Sequence, residues 1–248
     1  MQSTFIPALS ASEHIFIPLD TSDIDEALKI SKSLKGLVGG VKIGKEFFTA
    51  LGPEGVAQVS ELGMPLFADL KFHDIPNTVA GAVRSVVRLK PSILNVHAQG
   101  GRAMLESACD AAGEEAARIG IPQPLILGVT VLTSMDDQDL TDIGVSDKTL
   151  DQVKRLATLC QDCGLGGVVC SAAEIEVLRE ICGKEFKLLT PGIRPSWAAA
   201  NDQKRVVTPG EAIKRGADYL VIGRPIYGAD DPAEAARKIA TEIAEAVG

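Results

Sequence analysis

FADLKFHDIPNTV, residues 67–79, begins as an apolar strand and ends as the opening turn of a helix. Phe67 and Leu70 read as buried strand, and Pro76 suits a first helical turn, where a missing N–H costs nothing. Asp69, Lys71 and Asp74 lie between the two. The same grammar recurs outward along the chain. Apolar runs stand at IFIPLD (15–20), LVGGVKIG (37–44), PLFADLKF (65–72), ILNVHA (93–98), LILGVTVL (125–132), GGVVCS (166–171), FKLLTPGI (186–193) and YLVIGRP (219–225). Each precedes an amphipathic, helix-like segment, such as DIDEALKISKSLKG after the first and NTVAGAVRSVVRL after the third. Gly63, Gly120, Gly164 and Gly183 close helices, as a left-handed C-terminal cap requires. Pro232 opens the last one.

Strands apolar on both faces and joined by helices imply parallel pairing, with the sheet covered on both sides. Eight such units in 248 residues predict an α/β chain folded as one single-domain (β/α)8 barrel over residues 1–248. A doubly wound open sheet is the structural alternative. It usually carries a Gly-rich first turn for a dinucleotide, and the first turn here, PLDTSDID, has no glycine. No linker or low-complexity tract interrupts the alternation. The longest connection is MDDQDLTDIGVSDKT (135–149), between the fifth and sixth strands.

Composition narrows the function classes. Lys+Arg total 25 against 33 Asp+Glu, a net charge of −8, which speaks against nonspecific binding to nucleic acid or to acidic membranes. A local basic pocket for a small anion is compatible with that balance. No apolar run is long enough to span a bilayer. MQSTFIPALSASEH lacks the basic start and long apolar stretch of a secretory signal. The five scattered cysteines suit reduced thiols of the cytoplasm. Cys160 and Cys163 are spaced CxxC, but no second pair stands at zinc-site spacing, so they read as two thiols on a helix.

In such a barrel, chemistry gathers where strands run into the following loops. Those ends carry Asp20, Lys42, Asp69 with Lys71, His97, Thr130 to Ser134, Ser171, Gly192 with Arg194, and Gly223 with Arg224. A solvated strand end or helix cap accounts for Ser171. It serves for Asp20 too, since DTSD can cap the first helix. It fails for Asp69 and Lys71. Residues two apart on a strand face one way, here the barrel interior, and a lone inward lysine is costly to desolvate. Lys42 ends the neighbouring strand at a similar depth. A Lys42–Asp69–Lys71 chain alternates in sign, each contact worth about 4 kcal/mol at 4 Å and an effective dielectric of about 20. A network that only fixes packing is the weaker account, because buried ion pairs are poor stability devices and opposed charge pressures mark functional sites. Asp74 lies beyond the strand, where it steadies the helix start or projects away from its own site.

TPGIRP (190–195) and VIGRP (221–225) follow the last two strands, and each offers glycine and one arginine. Loops at these two positions typically build phosphate sites, and backbone N–H groups with a forked guanidinium suit a dianion. RPSWAAANDQKRVVTP (194–209) reads as a mobile loop, with Trp197 as a partly buried anchor and Gln203, on the residues alone, as a solvated side chain. No metal site is expected, because His14, His73 and His97 share no ligand spacing. His97 reads as a core or supporting histidine. There is no nucleophile elbow and no P-loop.

FADLKFHDIPNTV resembles the signature of the orotidine 5′-phosphate decarboxylase family, Asp-x-Lys-x-x-Asp-Ile-Pro-x-Thr. The likeness continues through PLD (18–20), VKIG (41–44), VHAQGG (96–101), VTVLTSM (129–135), TPGIRP (190–195), DQKRVVTP (202–209) and VIGRPI (221–226). It therefore runs in order over essentially the whole chain. It implies a cytoplasmic, cofactor-free and metal-free enzyme that converts orotidine 5′-monophosphate to UMP, the last step of de novo pyrimidine synthesis. By resemblance Lys71 protonates C6 of the pyrimidine and Asp69 lies against the departing carboxylate. Asp74 and Thr78 come from the partner subunit, so the sites of a homodimer are shared. Asp20 and Lys42 match ribose-contacting positions, and Thr133 matches the position beside the base. Arg194, Gln203, Gly223 and Arg224 match the closing loop and phosphate grip. Metal-using sugar-phosphate relatives resemble the chain only around Asp-x-Lys-x-x-Asp. A noncatalytic UMP binder has no use for a costly inward charge chain.

Overall fold

The eight apolar runs become eight parallel strands in a computed structural model that describes residues 9–198 and 207–247. The strands are β1 (Ile15–Pro18), β2 (Gly40–Ile43), β3 (Leu66–Phe72), β4 (Ile93–His97), β5 (Leu125–Val129), β6 (Gly167–Val169), β7 (Lys187–Pro191) and β8 (Tyr219–Val221). Each pairs with the next, and β8 returns to β1 through Ile15↔Leu220 and Phe16↔Val221, closing the barrel. Around it run α1 (Ile24–Leu34), α2 (Lys45–Ser60), α3 (Pro76–Val87), α4 (Arg102–Ile119), α5 (Asp137–Asp142), α6 (Thr149–Asp162), α7 (Ile175–Cys182), α8 (Pro209–Arg215), α9 (Arg224–Tyr227) and α10 (Pro232–Val247). Among the described residues no helix is long and apolar enough to cross a membrane.

The strand pleat sorts side chains into two layers. Phe16, Phe67, Ile93, Leu127, Leu189 and Val221 fill the barrel interior. Phe16 meets Phe67 edge-to-face, with centroids 6.4 Å apart. Gly40 makes that possible, because a Cβ there would lie 2.6 Å from the Phe16 ring. Their neighbours in sequence, among them Ile15, Ile17, Leu66 and Leu94, face the helices in the larger core. The interior is thus plugged by apolar side chains, and polar groups collect above the plug, at the C-terminal strand ends.

Local signals behave as physical chemistry requires, with two corrections. Asp23, not Asp20, caps α1, accepting from the N–H groups of Asp25 and Glu26. Asp20 is thereby left to the barrel mouth. The long connection after β5 contains a helix of its own, α5, begun by a reciprocal cap in which Asp136 and Asp139 satisfy each other's backbone N–H. Gly120 ends α4 at φ 72°, the left-handed cap expected of it.

Strand β3 is irregular where it matters. Ala68 pairs with Leu94 and Phe72 with Val96, so β3 spends more residues than β4 across the same span. Lys71 sits in this break at φ 54°, in the left-handed region that β-carbon residues avoid. Parity nonetheless holds: Ala68, Leu70 and Phe72 pack outward, while Asp69 and Lys71 line the interior mouth. The regular pleat argued from sequence therefore gives the correct side for Lys71, but the backbone reaches it by a distorted path.

Candidate active site

A cavity of about 180 Å³ opens above the apolar plug, with Lys42, Asp69, Lys71, Val129, Thr133 and Pro191 among its walls. Lys42 points inward from β2 and is 8% exposed. Its Nζ lies 3.3 Å from Asp69 Oδ2 and 3.4 Å from Asp20 Oδ1. Gly44, at the start of α2, leaves space for that ammonium: a Cβ there would stand 3.0 Å from Lys42 Nζ. Lys71 Nζ donates to Asp69 Oδ1 at 2.5 Å. The alternating chain expected from the sequence is therefore assembled, with Asp69 at its centre and Asp20 at its rim.

Asn95, on β4, completes the arrangement. Its Nδ2 donates to Asp69 Oδ1 at 2.7 Å, and its Oδ1 accepts from the Lys71 backbone N–H at 2.8 Å. The sequence reading missed it. The available signal was a fully polar amide midway along an otherwise apolar strand, at a position that faces inward. Burial works to raise the Asp69 pKa, but the Lys42 and Lys71 ammoniums and the hydrogen bonds from Lys71 and Asn95 outweigh it. The carboxyl is held below its ordinary value. His97, one inward step further along β4, lies 5.4 Å from the His73 ring, centroid to centroid. Burial above all, then the neighbouring His73, Lys45 and Lys71 charges, push its pKa down to about 4. His97 is therefore neutral beside the cluster at pH 7.

A second cavity of about 410 Å³ lies next to the mouth, lined by Arg194, Trp197, Ala198, Arg224, Pro225 and Gly228. Arg194 is buried, at 5% exposure. Gly223 precedes α9 against Pro18, where a Cβ would stand 2.8 Å from the proline ring. Trp197 is 48% exposed, so it is a cavity wall rather than the anchored side chain expected. Asp74 and Thr78 are exposed and do not line either cavity of their own chain. Asp74 Oδ1 accepts from the Ile75 N–H at 2.7 Å, and the Ile75 side chain beside it is 67% exposed. Gln203 lies outside the described residues. Cys160 and Cys163 are buried free thiols at the end of α6. Among the described residues no three His, Cys, Asp or Glu side chains gather as a metal set.

Chemically, the first cavity offers two ammoniums and one ionised carboxylate in a largely dehydrated setting. Such a site holds an anion, stabilises negative charge that develops on it, and can deliver a proton. The adjoining arginines add a grip for a second anionic group. Fold and site together define a (β/α)8-barrel enzyme for a small anionic substrate. Residues 13–239 match the model of the family described as "Orotidine 5'-phosphate decarboxylase / HUMPS family", and the chain belongs to that family. It is 58% identical over 230 residues to an orotidine 5′-phosphate decarboxylase of Rhodospirillum rubrum, covering 92% of this chain and 93% of that one. The corresponding protein of Paramagnetospirillum magneticum is 55% identical over 229 residues, covering 92% and 97%. The crystal structure of orotidine 5′-phosphate decarboxylase from Lactobacillus acidophilus superposes with a TM-score of 0.82 at 34% identity, over 92% of this chain and 98% of that one. Family and relatives mark an enzyme of the carboxy-lyase class.

Proposed function

We propose that this chain decarboxylates orotidine 5′-monophosphate to UMP, the last step of de novo pyrimidine synthesis, using only its own side chains. The observation that carries the reading is the Lys71 ammonium, 2.5 Å from Asp69 Oδ1 in the barrel-mouth cavity. Loss of CO2 leaves an electron pair on C6 of the pyrimidine. A fixed ammonium stabilises that pair as it develops and then transfers a proton to it, giving the C6–H of UMP. Asp69 stands where the substrate carboxylate departs and keeps Lys71 aimed. Lys42 and Asp20 meet the ribose, and Thr133 meets the base. Arg194, Gln203, Gly223 and Arg224 receive the phosphate, whose binding energy, remote from C6, supports assembly of the site.

Asp74 and Thr78 act in the site of a second subunit. The support for this is their position: both are exposed on the turn after β3 and the first turn of α3, outside their own cavity, beside the exposed Ile75. The working unit is then a cytoplasmic homodimer with shared sites, without metal, cofactor, nucleic acid or membrane.

The deciding experiment follows loss of the orotate chromophore by absorbance, with and without thorough chelation. Turnover that survives chelation supports the reading. Turnover abolished by chelation and restored by a divalent metal overturns the metal-free part of the reading. Absence of turnover with retained UMP binding indicates a binding protein.

A further inference from the structure

We propose that Asn95 is a positioning residue for Lys71, acting on both the backbone and the carboxylate that aim its ammonium. The inference rests on the decarboxylase reading above. Asn95 is fully buried between Leu94 and Val96, and it does not line the cavity. An amide in that position must repay its desolvation with hydrogen bonds. It makes two, and they bridge the break in β3. Oδ1 accepts from the Lys71 N–H at 2.8 Å, and Nδ2 donates to Asp69 Oδ1 at 2.7 Å.

The backbone bond matters because Lys71 lies at φ 54°, a conformation that persists only where the surroundings over-determine it. The β3–β4 register shifts between Ala68 and Phe72, and the Asn95 side chain supplies an acceptor within that gap. The second bond fixes the carboxylate. The oxygen that receives Asn95 Nδ2 is the one that receives Lys71 Nζ, while the other oxygen faces Lys42. One amide thus sets the start and the end of the Lys71 side chain. The amide orientation follows from chemistry, since a flip would turn NH2 toward the Lys71 N–H and oxygen toward the carboxylate. The site asks for one acceptor and one donor on a short side chain, as an amide supplies. Leucine leaves the N–H unmatched, and aspartate offers the acceptor but opposes Asp69.

The test measures kcat, KM and UMP affinity for Asn95→Leu and Asn95→Asp beside the wild-type and Lys71→Ala proteins. For Asn95→Leu we expect kcat to fall about 10²-fold, the scale of a small misplacement of a reacting group. KM and UMP affinity should stay within about threefold, because uniform binding is untouched. For Asn95→Asp the acid limb of the kcat profile should move to higher pH, because two facing carboxylates share a proton. If Asn95→Leu does not fold, the pH profile of the closer mimic Asn95→Asp decides, and an unshifted acid limb overturns the proposal. Loss of folding in both variants overturns it too, since the residue is then structural. Normal kcat in Asn95→Leu, with Lys71→Ala inactive, removes this inference and leaves the decarboxylase reading standing. A wild-type protein without turnover removes both.

Discussion

Lys71 donates to Asp69 Oδ1 at 2.5 Å from a backbone at φ 54°. The contact joins two residues of one strand whose side chains share the interior face. Asp69 gives its other oxygen to Lys42 at 3.3 Å. Asp20 Oδ1 lies 3.4 Å from the same Lys42 ammonium, so two carboxylates and two ammoniums alternate in sign along the cluster. On the proposed reading the substrate carboxylate approaches against Asp69, since both ammoniums already face carboxylates.

On the proposed mechanism, replacing Lys71 by alanine removes the proton source and one of the two ammoniums in the cavity. Proton delivery is typically worth about 10²–10⁴-fold and charge stabilisation about 10²–10³-fold. Lys71→Ala should therefore lose at least about 10³-fold in kcat by the chromophore assay. UMP, already protonated at C6, should still bind, as measured by calorimetry. Full activity in this variant would end the assignment.

The proposed sharing of the site across subunits is tested by a mixing experiment. Lys71→Ala and Asp74→Ala should each be nearly inactive as homodimers. In a mixed dimer, both lesions fall in one site and the other is intact, because a two-fold interface exchanges the same residues both ways. Unfolding and refolding an equimolar mixture should then recover up to about a quarter of wild-type turnover, from half the dimers with one good site each. A mixture no more active than its components would show that Asp74 serves its own subunit or none.

Arg224 and Arg194, which follow β8 and β7, line one cavity. If that cavity takes the phosphate, Arg224→Ala should weaken UMP binding by about 10- to 10²-fold, the value of a charge-assisted hydrogen bond. Uridine, lacking the phosphate, should bind both proteins alike. Equal losses for nucleotide and nucleoside in titration calorimetry would move the phosphate elsewhere.

Much of this was readable from residue order because the barrel is written in repeating units. Apolar runs and glycine stops reported the strands and helix ends, and Asp69, Lys71 and Lys42 stood out as charges where a strand should be buried. Asn95 did not stand out, because its role depends on a register shift between β3 and β4, a pairing property that no single strand records. Asp20 was ambiguous for a local reason: Asp23 lies three residues on, and only the geometry decides which of the two caps α1. Trp197 was misjudged because an indole in a polar loop reads as an anchor, whereas here it borders open space next to two arginines.

His97 supplies a pH dependence of stability whose sign can be worked out. Burial first, then the charges of His73, Lys45 and Lys71, hold its folded pKa at about 4, below the ordinary 6.5, with Asp69 pulling the other way. As pH falls below about 6.5, the unfolded chain takes up the proton and the folded chain refuses it. The contribution is fully present above about pH 6.5 and is lost as pH drops toward 4. Asp69 acts in the same direction, but its lowered pKa confines it to the acid end, below the ordinary carboxylate range. Urea midpoints of the wild-type protein should therefore decline between about pH 6.5 and pH 5, and His97→Gln, which cannot titrate, should give a shallower slope over that interval. Parallel slopes in the two proteins would mean that the imidazole takes its proton equally well in both states, and that the rings of His73 and His97 share a less dehydrated space than their 5.4 Å approach suggests.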